Sequence, residues 1–236
     1  MINGFHAAKS GMRSFQSSLD VVANNIANAN TDGFQARSIH FADLVYTRSQ
    51  GSDVVVGNGA RPVSTSFLSE SGALRVGDLL DAFVAGEGYY AVQNPREGAE
   101  DARLYTRNST FSLAGEGDAV YLSTPDGGYV LDANGQRIQV QGDDLDAAFA
   151  QVALYAFPNP NGLTARGDGL FAADEASGEP VIDDASQILT GMSESAGVNL
   201  AAEMSTMMIA QRGFQLSARM IQTIDEIEQT VNGLRG

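Results

Sequence analysis

INGFHAAKSGMRSFQSSLDVVANNI, residues 2–26, is the stretch on which the fold turns. Its apolar residues Ile2, Phe5, Ala8, Met12, Phe15, Leu19, Val22 and Ile26 recur at three- and four-residue spacings without an intervening proline. That period gathers them on one helical face, as a seam toward a partner requires. A second run fills residues 200–236 with Leu200, Met204, Met207, Phe214, Ile221, Ile224, Ile227, Val231 and Leu234, leaving Glu203, Arg212, Arg219, Asp225 and Glu228 for the other face. Both runs are too long and too polar for strands. One amphipathic segment alone reads as an ordinary core helix. Two of them, at chain ends that are usually loosely held, read as one helical unit whose purpose is intermolecular contact. The first helix is expected to end at Gly33, a good residue for leaving a helix.

Charge divides the chain in the same way. The formal net charge of the 236 residues is -15, yet residues 1–40 set Lys9, Arg13 and Arg37 against Asp20 and Asp32, and residues 195–236 set three arginines against four acids. The whole excess therefore sits in the middle. An acidic middle without a basic patch argues against nucleic acid or anionic membrane as a partner, whereas the near-neutral ends can pack without summed repulsion. The chain has no cysteine, so it holds no disulfide and no thiolate metal site. Asn3, His6, Lys9, Arg13 and Gln16 interrupt the apolar block that a cleaved signal needs. No run approaches the ~20 apolar residues of a membrane helix. Export without signal cleavage and no membrane insertion are the expectations.

Between about Gln35 and Thr190 the texture changes to short strands separated by glycine, asparagine, aspartate and proline. Tyr89–Gln93, Ala119–Ser123, Gly128–Leu131, Arg137–Val140 and Gln151–Phe157 read as strands, with turn signals at Pro125-Asp126-Gly127-Gly128, Asn134-Gly135 and Asn161-Gly162. The fold class is thus α+β. Paired, coiled-coil-like terminal helices (1–35 with 196–236, a discontinuous assembly domain) flank a central antiparallel β domain (36–195), barrel-like or sandwich-like.

Catalytic chemistry is poorly provided for, and the chain reads as no enzyme. His6 and His40 have no evident nucleophile or metal cluster near them in sequence. Lys9 is the only lysine, no Gly-Lys-Ser/Thr occurs, and Gly57-Asn58-Gly59 followed by Pro62 is not a dinucleotide fingerprint. Glu87, Asp126, Asp143, Asp144 and Asp146 could form a carboxylate pair, but their spacing fits turns and a charged surface equally well. Asp132-Ala133-Asn134-Gly135 lacks the ligand ladder and closing glutamate of a calcium loop and reads as a β-turn. No cofactor and no metal are expected.

Asn24, Asn25, Asn28 and Asn30 cluster where the first stripe ends, and their weak helix propensity needs a reason. A fraying, solvated helix end is one. A polar lock fixing the register between neighbouring chains is the other. The run Asn24-Asn25-Ile26-Ala27-Asn28-Ala29-Asn30-Thr31-Asp32-Gly33-Phe34 closely resembles the N-terminal signature of the bacterial flagellar rod and hook proteins. Glu203-Met204, Gln211-Arg212-Gly213-Phe214 and Ile221-Gln222-Thr223-Ile224-Asp225-Glu226 resemble the C-terminal helix of that family. Between them, Gly86-Glu87-Gly88-Tyr89-Tyr90, Tyr105-Thr106-Arg107 with Phe111, Gly128-Tyr129-Val130-Leu131 and Asn159-Pro160-Asn161-Gly162-Leu163 leading to Gly169-Leu170-Phe171 match in order. Ser109 stands where the family usually has glycine, and Ala196-Gly197-Val198 replaces its usual Ser-Asn-Val, which puts one turn and one helix cap in question. Gly57-Asn58-Gly59-Ala60-Arg61-Pro62-Val63 resembles distal members somewhat more than proximal ones.

The resemblance implies a structural rod subunit that polymerises helically through its terminal helices and transmits torque in motility. It implies passage through the flagellar export apparatus, residence in the basal body, and self, neighbouring rod proteins and hook proteins as partners. The expected assembly interface is Phe5, Met12, Phe15, Leu19, Val22, Asn24, Asn25, Ile26, Asn28, Leu200, Met204, Met207, Phe214, Ile221, Ile224 and Val231. Helices lacking seam partners are marginal in water, so the ends are expected to be mobile before assembly. The alternatives are a soluble carbohydrate- or cation-binding β module dimerised by its helices, and a secretion needle or tip component.

Overall fold

The computed structural model describes residues 2–48, 55–68, 72–93, 103–142 and 144–234. Helix α1 (Ile2–Ala27) is followed by strands β1 (Arg37–Asp43), β2 (Thr47–Arg48), β3 (Val55–Val56) and β4 (Ala60–Phe67). Next come β5 (Leu74–Val76), β6 (Ala82–Ala85), β7 (Tyr89–Gln93), β8 (Arg103–Thr106), β9 (Ser112–Glu116), β10 (Ala119–Ser123), β11 (Tyr129–Val130) and β12 (Gln139–Val140). A short helix α2 (Leu145–Phe149) precedes β13 (Leu154–Ala156), β14 (Thr164–Gly167), β15 (Leu170–Ala172), β16 (Val181–Ile182), β17 (Gln187–Thr190) and β18 (Met192–Glu194). Helix α3 (Leu200–Gly233) comes last. The chain is α+β, as expected.

Contacts divide it into two compact units. The first joins Met1–Ala29, Ala36–Leu68 and Val198–Gly236; the second joins Asn30–Gln35 and Ser69–Gly197. The segment Ala36–Leu68 thus groups with the helices rather than with the strands after it. The reason is local: Ser14 on α1 donates to the Ala60 carbonyl of β4 at 3.1 Å, and Asn25 holds the start of β1. Strands β1 and β4 form an antiparallel ribbon with a bulge at His40/Phe41.

In the first unit α1 and α3 run antiparallel, and small residues set their register. Positions 4, 11, 15 and 25 of α1 meet 224, 217, 213 and 203 of α3. Two of these α1 positions are glycine. A Cβ added to Gly11 would lie 3.4 Å from Ser217 Oγ, and one on Gly4 would lie 3.6 Å from Ile224 Cδ1. Gly213 accepts the Phe15 ring directly against its Cα, where any Cβ would overlap the ring. Each helix therefore has one seam occupied within the single chain.

At the far end of this pair Asn25 is 1 % exposed. Its amide donates to the Arg37 carbonyl at 2.8 Å and to Glu203 Oε1 at 2.9 Å, and its oxygen accepts from Arg37 N–H at 3.0 Å. One side chain ties α1, β1 and α3 together. The helix ends at Ala27 rather than Gly33: Ala29 N–H turns to the Ile26 carbonyl, three residues back, and although Asn28 N–H still makes the helical bond to the Asn24 carbonyl, the Asn28 side-chain amide donates to that same carbonyl. Such local bonds compete with helix propagation.

The second unit is antiparallel throughout its described pairings. Its main sheet follows the path β12-β10-β11-β7-β8-β15-β14, with β9 on β10 and with β13 bridging β7 and β16; β5–β18 and β6–β17 form separate ribbons. The path is open, so among the described residues the barrel-like alternative is not met: no barrel closes. Tyr90, Val92, Leu122, Val130 and Ile138 are fully buried. Tyr90 stacks edge-on against Phe111 at 5.0 Å and donates its hydroxyl to the Ala82 carbonyl at 2.8 Å. Burial raises its pKa above the ordinary tyrosine range.

Two substitutions test the helix register. Gly213→Ala should destabilise the first unit by about 1–3 kcal/mol through overlap with Phe15, although alanine is the better helix former by about 1 kcal/mol. Asn25→Ala should cost about 2–4 kcal/mol, because it strands buried backbone groups of Arg37 and the Glu203 carboxylate. Chemical denaturation monitored by circular dichroism measures both, and a stabilised Gly213→Ala would show that the close contact is absent.

Candidate assembly interface

The residues expected at the interface separate into two sets. Val22 and Asn25 are buried, and Phe5, Met12, Phe15, Leu19, Ile26 and Asn28 are half-buried, while Asn24 is exposed. On α3, Met207, Phe214, Ile221 and Ile224 are half-buried along the register with α1. Leu200, Met204 and Val231 are exposed. The sequence reading therefore merged an inner seam with an outer face.

The inner seam on α3 runs Glu203, Met207, Ala210, Phe214, Ser217, Ile221 and Ile224, a strict alternation of four and three. Ala210 and Ser217 are absent from the apolar stripe because small or polar side chains carry no hydropathy signal. Their spacing to Met207 and Ile221 was the available clue.

The outer face carries a stripe that the sequence reading caught only in part. Ile209, Leu216 and Met220 are 67 %, 64 % and 60 % exposed, and Ile227, Val231 and Leu234 continue the row. At 100° per residue these six fall within an arc of roughly 60°. The arc flanks the α1 seam, its centre about 100° round the helix from the seam's. Isolated apolar residues on a surface are ordinary, whereas a row on one side of a helix is a candidate interaction surface.

The outer face of α1 is different in kind, with His6, Lys9, Arg13, Gln16 and Asp20 all exposed. Together with Asn58, Ala60, Arg61 and Pro62 they line a groove of about 880 Å³.

The residues weighed for chemistry have structural occupations. His40 Nε2 shares a hydrogen bond with Ser66 Oγ at 2.7 Å on the exposed ribbon. Asp132 Oδ1 accepts the backbone N–H groups of Asn134 and Gln136 at 2.9 and 2.7 Å, forming the expected turn. Asp144 caps α2 by accepting from Ala147 N–H. A hydrogen bond from the Ser186 hydroxyl holds the Asp183 carboxyl below its ordinary range. Asp143 lies outside the described residues. Among the described residues no three His, Cys, Asp or Glu side chains gather as metal ligands, and no helix is long and apolar enough to cross a membrane.

The two departures from the family pattern also find places in the second unit and at α3. Ser109 is buried, and its hydroxyl accepts from the Glu194 backbone N–H at 3.0 Å. Around it, Gly33 N–H donates to the Glu194 carbonyl at 2.9 Å, and the Glu194 side chain lies 3.6 Å from the Arg107 guanidinium and accepts from Gly72 N–H. Ser109 thus adds a bond where glycine would offer none. The cap of α3 is kept by Asn199, whose side chain accepts from Ala202 N–H.

Comparison with known proteins assigns the whole chain. Residues 5–35 match the family "Flagella basal body rod protein", and residues 189–234 match "Flagellar basal body rod FlgEFG protein C-terminal". The chain is 30% identical over 267 residues to the flagellar basal-body rod protein FlgG of Caulobacter vibrioides, covering 99% of this chain and 100% of that protein. It is 30% identical over 256 residues to FlgG of Agrobacterium fabrum (95% and 96%) and 28% over 250 residues to the rod protein FlgF of Mesorhizobium japonicum (99% and 98%). Matches of that extent leave no support for the carbohydrate- or cation-binding module or the needle component. With its terminal signatures on α1 and α3 and its middle aligned throughout, the chain belongs to the flagellar basal-body rod protein family.

Proposed function

We propose that this rod subunit polymerises helically with copies of itself through the outer faces of a discontinuous helical assembly domain, residues 1–35 with 196–236. In this reading α1 and α3 form a coiled-coil-like pair within each chain. The second apolar stripe of α3 then packs on a neighbouring pair. The observation that carries it is the row Ile209, Leu216, Met220, Ile227, Val231 and Leu234, left uncovered on a helix whose other seam is already filled.

Magnitudes favour a polymer over a dimer. Burying one such side chain contributes roughly 1.5–3 kcal/mol, and association costs about 4–15 kcal/mol. A single partly covered stripe therefore roughly breaks even. A subunit held by several neighbours at once is bound securely, as a torque-bearing array requires. Neighbouring rod proteins and hook proteins are the partners at the two ends of such an array, and the flagellar export apparatus is its route from the cytoplasm to the basal body.

Leu216→Asp combined with Met220→Asp should leave the thermal midpoint of the free subunit within about 2 °C of wild type, since both sites are exposed before assembly. The same pair should abolish ordered polymers, because it places charge in a buried contact. Calorimetry and electron microscopy read the two effects. Normal polymers from the double variant would refute assembly through this face.

A further inference from the structure

The groove on the outer face of α1 is cationic in a chain whose net charge is -15. Lys9, Arg13 and Arg61 line it with His6, against one carboxylate, Asp20. Lys9 is the chain's single lysine. These three cations make no salt bridge among the described residues. The far wall is built by the Gly57 to Val63 motif, whose Gly59 has φ +104° and lies so close to α1 that a Cβ would overlap Ser10 and sit 3.2 Å from Ala7 Cα. Only glycine lets the ribbon approach this near, and the approach brings Arg61 into the same groove as Lys9 and Arg13.

A segment of complementary chemistry exists on the same chain. The register that pairs Gly4 with Ile224 leaves the residues of α3 after about Glu226 beyond the described part of α1. From Asp225 to Leu234 this end carries Asp225, Glu226 and Glu228 and no basic residue. All three carboxylates are exposed, as are Ile227 and Val231. The face that continues the α1 seam here presents Asp225 and Glu228, with Val231 beside them on the border of the outer stripe. The body of the chain supplies many carboxylates too, but Asp132, Asp144 and Asp183 are engaged in holding their own turns. Among the described residues of the first unit, the end of α3 gathers three exposed carboxylates beside exposed apolar residues, and the groove offers Leu44, Ala60 and Pro62 to receive them.

We propose that the groove between α1 and the start of β4 receives the C-terminal turns of α3 from a second copy of the chain, with Asp225, Glu226 and Glu228 against Lys9, Arg13 and Arg61. The proposal rests on the self-assembly proposed above and names the contact that orders one subunit against the next. The apolar stripe supplies non-directional attraction, whereas the charge match fixes which end meets which groove. Because the attraction is between exposed groups, it weakens once the Debye length, about 8 Å at 0.15 M ionic strength, shortens with added salt.

The absence of native cysteine makes a direct test available. Full-length Gln16→Cys, in the groove, and full-length Val231→Cys, on the α3 end, are mixed under mild oxidation at low salt. Within one chain the antiparallel register holds these positions roughly 25 Å apart or more along the helix axis, far beyond disulfide reach. The expected result is a disulfide-linked heterodimer whose yield falls about tenfold when Lys9→Glu, Arg13→Glu and Arg61→Glu are added to the groove chain. Asp225→Lys, Glu226→Lys and Glu228→Lys on the other chain should restore the yield. Polymers in the microscope with no cross-link, or a cross-link indifferent to both charge reversals, would overturn this contact and leave self-assembly standing. Loss on groove reversal without rescue would also overturn it, since the occupant would then lie elsewhere. A charge-dependent cross-link without ordered polymers would uphold the contact and overturn helical polymerisation, and neither product would overturn both.

Discussion

The constraint on which the first unit depends is the close approach of α1 and α3. The Phe15 ring can seat on α3 only where that layer is small, and Gly213 supplies this; at Gly4 and Gly11 a Cβ would meet α3 at ordinary contact distance. Glycine inside a helix costs about 0.5–1 kcal/mol relative to alanine, a loss that close packing accounts for at Gly213. The return is the Phe15 ring seated on Gly213 and a register that ends with Asn25 meeting Glu203. Without that register Asn25 would be a buried amide without partners, and β1 would lose its anchor at Arg37.

The same register decides what is left over. With one seam of α3 satisfied inside the chain, the exposed row from Ile209 to Leu234 is surplus to folding. A soluble monomer would be expected to replace such a row by polar residues. The second unit is strongly acidic and the first nearly neutral, so in the proposed assembly like charge opposes crowding of the second units while the first units carry the attractive contacts. In the assembly proposed here, folding and polymerisation use different faces of the same helix.

Much of this was legible in the sequence, and the rest was not for identifiable reasons. The helices, the strands Tyr89–Gln93 and Ala119–Ser123, and the turn at Asp132 to Gly135 follow from period and turn chemistry. The split of the middle at Leu68 was illegible because it depends on contacts of β4 with α1 across more than forty residues, such as Ser14 to Ala60. The open sheet was equally hidden, since strand order is a property of pairing and not of any one strand. Hydropathy also misjudged α3. It counts Leu200 and Met204 alike with Met207, yet only the last lies on the α1 side, and it passes over Ala210 and Ser217, which do. Of the asparagine cluster Asn24, Asn25, Asn28 and Asn30, Asn25 bonds to Arg37 and Glu203 of its own chain, a pairing across 178 residues that local sequence does not reveal.

The central claim is that α3 has one face filled before assembly and another filled by it. Peroxide oxidation of the methionines, followed by mass spectrometry on free and polymerised protein, tests this most directly. In the free subunit Met220, on the outer stripe, should react several times faster than the half-buried Met12 and Met207, and on assembly Met220 alone of these three should become protected. Equal reactivity of all three in the free subunit, with protection of all three only in the polymer, would contradict the account by showing that the inner seam too is made between chains.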